Sequence, residues 1–147
     1  MVDHQSASDA PLNSPAIPEE IEGLRMTRQR REVYRVIMGN RDHPTVNDVF
    51  LRVKDALPNI SLATVYNCLE ALVQHGIIRQ VNFDRNPSRF CPNLEEHGHF
   101  HDCATGAIHD VTFKPGVTLS DLLDLPPGTV ITDVEITLRG QISPATN

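Results

Sequence analysis

Cysteine is scarce and scattered: the chain holds three, at positions 68, 91 and 103, with no Cys-x-x-Cys pair and no evident disulfide framework. No basic stretch followed by an apolar run opens the sequence, and no apolar run is long enough to span a membrane. These absences favour a soluble protein kept in a reducing cytoplasm. Positive charge is in deficit, 13 Lys and Arg against 19 Asp and Glu, a net charge of -6. Spread evenly, that charge would argue against nucleic-acid binding. The chain's 147 residues, 39% of them hydrophobic, suffice for one ordinary core or two small ones without covalent staples.

The charge is not spread evenly. Residues 1–23 carry five acids and no base, whereas residues 24–41 carry six arginines (Arg25, Arg28, Arg30, Arg31, Arg35 and Arg41) against Glu32 alone. Residues 42–93 balance, and residues 94–147 hold Lys114 and Arg139 against eight acids. An electrostatic footprint for phosphate is local, so the basic segment matters more than the sum. A solvated helix face accounts for it equally well at this point.

Residues 1–18, rich in Ser, Pro, Asp and Ala, read as a disordered tail. Helical character is expected from "EEIEGLR" onward. In "MTRQRREVYRVIMGN", Thr27 can cap, Val33, Val36 and Ile37 form an apolar stripe, and Gly39-Asn40 stops the helix. A second helix is capped by Thr45 with Asp48 three residues on, and buries Val46, Val49, Phe50 and Val53. A third runs through "SLATVYNCLEALVQHG", with Ser61 as cap, Gly76 as close and Val65, Leu69, Leu72 and Val73 inward. Ala63, Thr64, Tyr66 and Asn67 face outward on its first turns, where small and hydrogen-bonding side chains suit a recognition helix in a major groove. "IIRQVNF" and "RFCP" then read as a two-stranded hairpin, completing a winged helix-turn-helix. A three-helix packing module with no ligand is the plain alternative.

Residues 89–110, "RFCPNLEEHGHFHDCATGAIHD", gather four of the chain's seven histidines and two of its three cysteines. Further on, "GAIHDVTF" reads as a strand. "TLSDLLDL" reads as a short helix with Leu119, Leu122 and Leu123 inward, and "TVITDVEITLRGQI" as a strand with apolar residues at 130, 134, 136 and 138.

The blocks "GLRMTRQRREV", "HPTVNDVF", "ISLATVYNCLEALVQHGII" and "SRFCPNLEEHGHFHDCATGAIHDV" resemble, in order and spacing, those of the ferric uptake regulator superfamily of bacterial metal-responsive repressors, over residues 20–142. The resemblance implies an α+β protein. A winged helix-turn-helix over residues 19–93 would precede a small α/β dimerisation and metal-sensing domain with a short sheet over residues 94–147. It also implies a cytoplasmic bacterial homodimer that binds a near-palindromic DNA operator when metal occupies the hinge between the domains.

Carried over residue by residue, the regulatory metal site falls on His43, Cys91, His97, His99 and Asp110. The family's structural zinc, held by two Cys-x-x-Cys pairs, is not expected. Asp102 and Thr105 stand in the places of the first pair, Ile142 and Ala145 in those of the second. Cys103, one position out of register, is expected as a small buried or edge residue. Gly98 stands where a second metal site has an acid or a histidine, so that site should be incomplete even with Glu95 and Glu96 nearby. His101 and His109 are expected at the surface or supporting the ligands.

Cys91 stands where the iron and peroxide sensors have a carboxylate, and a thiolate with imidazoles suits zinc. His43 and Asp110 match the iron and peroxide sensors, which leaves one Zn2+ or Fe2+ per chain, with Mn2+ third. Cys91-Pro92 beside histidines raises haem ligation as an alternative. A zinc-dependent hydrolase is more remote, since no nucleophile, base and orienting group converge. No enzymatic activity is expected. For DNA, the expected contacts are Tyr66 and Asn67 at base edges or sugars, Ser61, Ala63 and Thr64 at the helix entrance, and Arg25, Arg28, Arg30 and Arg89 on phosphate.

Overall fold

Three helices form where the sequence places apolar stripes between caps. In the computed structural model, which describes residues 16–83 and 85–143, they are α1 (Arg28–Gly39), α2 (Val46–Val53) and α3 (Leu62–Gln74). The tail reading for residues 1–15 lies outside the described residues. Thr27 Oγ1 accepts from the Arg30 N–H at 3.3 Å, Thr45 and Asp48 form a capping box, and Ser61 Oγ accepts from the Thr64 N–H at 3.1 Å. Each cap satisfies a helix-end donor that would otherwise lack a partner.

The stripes meet in one core. Val33 and Ile37 of α1, Val49 and Val53 of α2, and Val65, Leu69 and Leu72 of α3 are buried together with Ile77, Ile78 and Phe90. Val46, Phe50 and Val73, expected inside, are half-buried at its margin.

The expected helical start at residues 19–25 is instead a hairpin of β1 (Glu20–Ile21) and β2 (Leu24–Arg25). Glu22 and Gly23 turn it with φ of 48° and 75°. Glycine enters the left-handed region without a Cβ clash. The turn sends Leu24 and Met26 into the helical core, where both are buried. Tertiary burial here outweighs local helical preference.

After α3 the chain closes at Gly76 and forms the expected wing: β3 (Arg79–Val81) pairs antiparallel with β4 (Arg89–Cys91), Arg79 opposite Cys91. Ser88 Oγ donates to Asn82 Oδ1 at 2.6 Å and accepts from Gln80 Nε2 at 3.0 Å, bracing the wing near its tip. A three-stranded sheet follows. Its central strand β5 (Gly98–Asp102) runs antiparallel to β6 (Ile108–Val111) and parallel to β7 (Thr137–Gly140).

The last third differs most from expectation. The apolar positions from 130 onward form a strand only over β7, and α4 (Leu119–Leu122) is a single turn. Leu122 and Leu123, expected inward, are 64% and 47% exposed. Nothing among the described residues covers them, so periodicity marked an apolar face without a layer over it. Cys103, expected as a small buried or edge residue, is exposed in the turn between β5 and β6.

Candidate metal centre and nucleic-acid face

The five expected ligands arrive from three places. His43 precedes α2, Cys91 ends the wing strand β4, and His97, His99 and Asp110 belong to the sheet and its entry. On β5 and β6, His99 and Asp110 are register partners, so their side chains emerge side by side on one face. His97 lies two residues before His99, which in extended chain gives the same face. His43 has φ of 55°, a left-handed conformation that histidine adopts more readily than most residues.

The donor atoms of His43, Cys91, His99 and Asp110 all lie within 4.8 Å of one another. His97 Nε2 is 3.1 Å from His99 Nε2, 3.4 Å from Cys91 Sγ and 3.4 Å from Asp110 Oδ1. His99 Nε2 is also 3.4 Å from Asp110 Oδ1, and His43 Nε2 is 2.7 Å from it. Nitrogen and oxygen ligands about 2.0–2.2 Å from one tetrahedral ion stand roughly 3.3 Å apart. The observed separations fit donors converging on one ion better than they fit a satisfied hydrogen-bond network.

One further feature supports that fit. His97 Nδ1 lies 2.6 Å from the Glu95 carbonyl, which can only accept, so Nδ1 carries the proton and Nε2 presents its lone pair to the centre. The other ring nitrogen of His43, Nδ1, is buried with no hydrogen-bond partner among the described residues, while its Nε2 faces Asp110.

Burial and neighbouring charge set the protonation of the centre. Burial pushes the Cys91 thiol up to about 11, and the Asp110 carboxylate adds to the shift. Burial, with His43 and His97 beside it, pushes His99 down to about 4. Burial alone would raise Asp110, but hydrogen bonds from His43 and Asn93 outweigh it and hold the carboxyl below its usual range. At neutral pH Asp110 is therefore ionised, His99 neutral and Cys91 a thiol.

Three residues outside the expected ligand set support the centre. Asn93 Nδ2 donates to Asp110 Oδ2 at 3.3 Å, and Arg79 Nη2 donates to the Leu94 carbonyl at 2.9 Å, fixing the connection between wing and sheet. Phe83, fully buried, meets the His99 ring edge-on at 6.1 Å and the His101 ring at 5.6 Å with a 50° tilt. With Val81, Cys91 and Ile108 it forms a second, smaller core beside the donors. His109 is exposed, as are Glu95 and Glu96. Gly98 lies so close to β7's approach that an added Cβ would stand 3.1 Å from Ile136 Cβ.

The expected DNA contacts lie on the helical half. Ala63, Tyr66 and Asn67 are exposed on α3, Tyr66 at 55%, while Ser61 and Thr64 are joined by hydrogen bonds at the helix entrance. The side chains of Arg25 and Arg28 are exposed with no partner among the described residues. Arg30 donates to the Arg25 carbonyl at 2.9 Å, and Arg89 to the His43 carbonyl at 3.1 Å. Arg31 is turned inward to the carbonyls of Met26 and Ile17, and Arg35 pairs with Glu32. The basic segment is thus partly structural.

The fold and the cluster define a class: a winged helix-turn-helix joined to a small dimerisation-type sheet, with a candidate metal centre where the two meet. A profile described as the ferric uptake regulator family matches residues 21–123, and the chain belongs to that family. It is 33% identical over 79 residues to the peroxide-responsive repressor PerR of Staphylococcus epidermidis, a match covering 54% of this chain and 51% of that protein. The chain therefore matches about half the length of such curated relatives. Among solved structures, a zinc-bound manganese uptake regulator is 29% identical, with a TM-score of 0.65 over 83% of this chain and 93% of that one. A Campylobacter jejuni peroxide stress regulator, 24% identical, shares the fold with a TM-score of 0.67 over 80% of this chain and 88% of that one.

Proposed function

We propose that this chain is a metal-responsive transcription regulator that binds a near-palindromic operator as a homodimer when the five-donor centre holds a divalent ion. One observation carries the reading: His43, from the helical half, shares a pocket with His97, His99 and Asp110 from the sheet, with Cys91 of the wing between them. A bound ion supplies positive charge that ties these donors together. Donors on both halves make ion affinity depend on one relative orientation, so occupancy biases the pose presented to DNA. Moving such an equilibrium from mostly open to mostly closed takes about 5 kcal/mol of differential affinity, within reach of a multidentate site.

Zinc is the ion the donor set favours, because a buried thiolate among imidazoles is softer than iron or manganese sites prefer. The 33% identity to peroxide-responsive repressors supports a second reading, an iron or manganese centre read by peroxide. Burial of Cys91 at 0% exposure counts against haem, which needs an open face at the sulfur.

The DNA face comprises Ser61, Ala63, Thr64, Tyr66 and Asn67 on α3, with Arg25, Arg28, Arg30 and Arg89 for phosphate. In this reading residues 19–93 are the DNA-binding domain, residues 94–147 the dimerisation and sensing domain, and the setting is a bacterial cytoplasm. The exposed apolar side chains of Leu122, Leu123, Leu125, Val130, Leu138 and Ile142 are the surface a second copy would cover.

The test is elemental analysis of protein purified without added metal, followed by anisotropy titration of a duplex selected from a random pool, with Zn2+ and with chelator. About one zinc per chain and operator binding that chelator abolishes support the zinc reading. Iron or manganese in its place, with DNA binding lost on peroxide treatment, moves the chain to the second. DNA binding indifferent to every ion removes the proposal.

A further inference from the structure

We infer that Arg89 is a positioning residue of the metal centre, holding His43 in place through its backbone. The inference rests on the reading of the five-donor cluster as a metal site. Arg89 Nη1 donates to the His43 carbonyl at 3.1 Å, across 46 residues of sequence. The neighbouring backbone makes the same connection: the Phe90 N–H donates to the Pro44 carbonyl at 3.0 Å, and Arg89 forms an isolated antiparallel bridge with Thr45. On the other side of His43, Asp42 receives both terminal nitrogens of Arg52, at 3.0 and 2.6 Å.

The position of His43 needs such bracing. Its backbone is left-handed at φ 55°, its side chain is buried, and its Nδ1 has no hydrogen-bond partner among the described residues, so the ring's own contacts in the centre are one hydrogen bond to Asp110 and an edge-on contact with the His99 ring. Arg89 lies two residues before Cys91 on β4. Its guanidinium therefore joins the strand that ends in the thiol ligand to the loop that carries the imidazole ligand. His43 and Cys91 become one rigid jaw, and His97, His99 and Asp110 on the sheet become the other. A jaw whose two donors are already spaced loses less freedom on binding an ion, which is how supporting hydrogen bonds commonly raise metal affinity. This use of one guanidinium nitrogen is separate from any contact Arg89 makes with DNA phosphate.

The experiment is a Co2+ titration of the full-length protein without DNA, read by thiolate charge-transfer and d–d absorption, on wild type, Arg89→Lys, Arg89→Gln, His43→Ala and the double variants combining each Arg89 change with His43→Ala. Circular dichroism confirms that each variant folds. Arg89→Gln should weaken Co2+ binding about ten- to a hundredfold and shift the d–d bands toward those of His43→Ala, with Arg89→Lys recovering part of the loss. In the His43→Ala background the Arg89 changes should have little further effect, since the residue acts through His43. Equal losses in both backgrounds, or Co2+ binding unchanged in folded Arg89→Gln, overturn the inference. If only DNA affinity falls, with the salt slope reduced by about one, Arg89 is a phosphate contact alone. Wild type that takes up no Co2+ would instead remove the metal reading itself. If Arg89→Gln does not fold, the same cycle with Arg89→Lys decides, because a merely structural role predicts no band shift toward His43→Ala.

Discussion

His43 Nε2 lies 2.7 Å from Asp110 Oδ1, although 67 residues separate them in sequence. This is the shortest link in the donor cluster between the helical half and the sheet, and the carboxylate also faces His97 and His99 at 3.4 Å. Asp110 is thus the one acid shared by three imidazoles. Asp110→Asn keeps the shape but removes the charge, so zinc affinity should fall by at least about tenfold while the melting temperature changes little. Competition with a chromogenic chelator measures it. Unchanged affinity would mean that the carboxylate is not a ligand.

Cys91 gives the centre a signed pH dependence. With its thiol pushed up to about 11, the sulfur is protonated at pH 7 in the metal-free protein, and ion binding must displace that proton. A proton held more tightly competes more strongly as pH falls. The Cys91 contribution to apparent affinity should therefore decline about tenfold per pH unit from near 11 down through neutrality. Calorimetry in buffers of different ionisation enthalpy should find about one fewer proton released per ion in Cys91→Ala than in wild type at pH 7.5. Equal release in the two proteins would exclude thiolate ligation.

Gly98 is set by space. Its Cβ position is 3.1–3.2 Å from Ile136 Cβ, Cγ2 and O, beside the hydrogen bond from the His99 N–H to the Ile136 carbonyl at 2.9 Å. Gly98→Ala should cost about 1–3 kcal/mol by overpacking and should weaken metal binding through its neighbours His97 and His99. Thermal melts with and without Zn2+ read both effects. Restoring a liganding side chain there, as in Gly98→Asp, should damage the first site rather than build a second.

The α3 face should separate base reading from phosphate contact. Asn67→Ala or Tyr66→Ala should cost about 1–3 kcal/mol on the operator and far less on random duplex, whereas Arg28→Ala should weaken both and lower the salt slope by about one. Anisotropy over a range of salt distinguishes them. A uniform loss for Asn67→Ala would take it off the base-reading face.

Leu138→Asp and Leu122→Asp place charges on the uncovered apolar face of β7 and α4, where Leu138 is 47% and Leu122 64% exposed. Sedimentation should show dimers for wild type and monomers for the double variant, with helix content unchanged. A wild-type monomer would remove this face as the homodimer surface.

Much of this was legible in the sequence because its signals are local. Thr27, Thr45 and Ser61 cap the helices they were expected to cap, since a cap needs only a side-chain oxygen and a backbone N–H three residues away. The stripe through Val65, Leu69 and Leu72 and the pairing of the wing follow from residue spacing in the same way. The five metal donors were named through a resemblance of ordered blocks, and His97 and His99 alone share a face by spacing. Where the sequence misled, the deciding contact was distant or absent. Residues 19–25 form a hairpin because Leu24 and Met26 reach the helical core, and Leu122 and Leu123 stay exposed because no layer among the described residues covers them.

The sequence by itself determined the three capped helices and which side chains carry imidazole, thiol and carboxylate chemistry, because those properties depend on neighbours a few residues apart. Only the tertiary structure decided that His43 meets Asp110, that Arg89 turns to the His43 carbonyl, and that Phe83 closes over His99. Those contacts arise when separate elements pack, and no short-range pattern encodes the distance between residues 43 and 110.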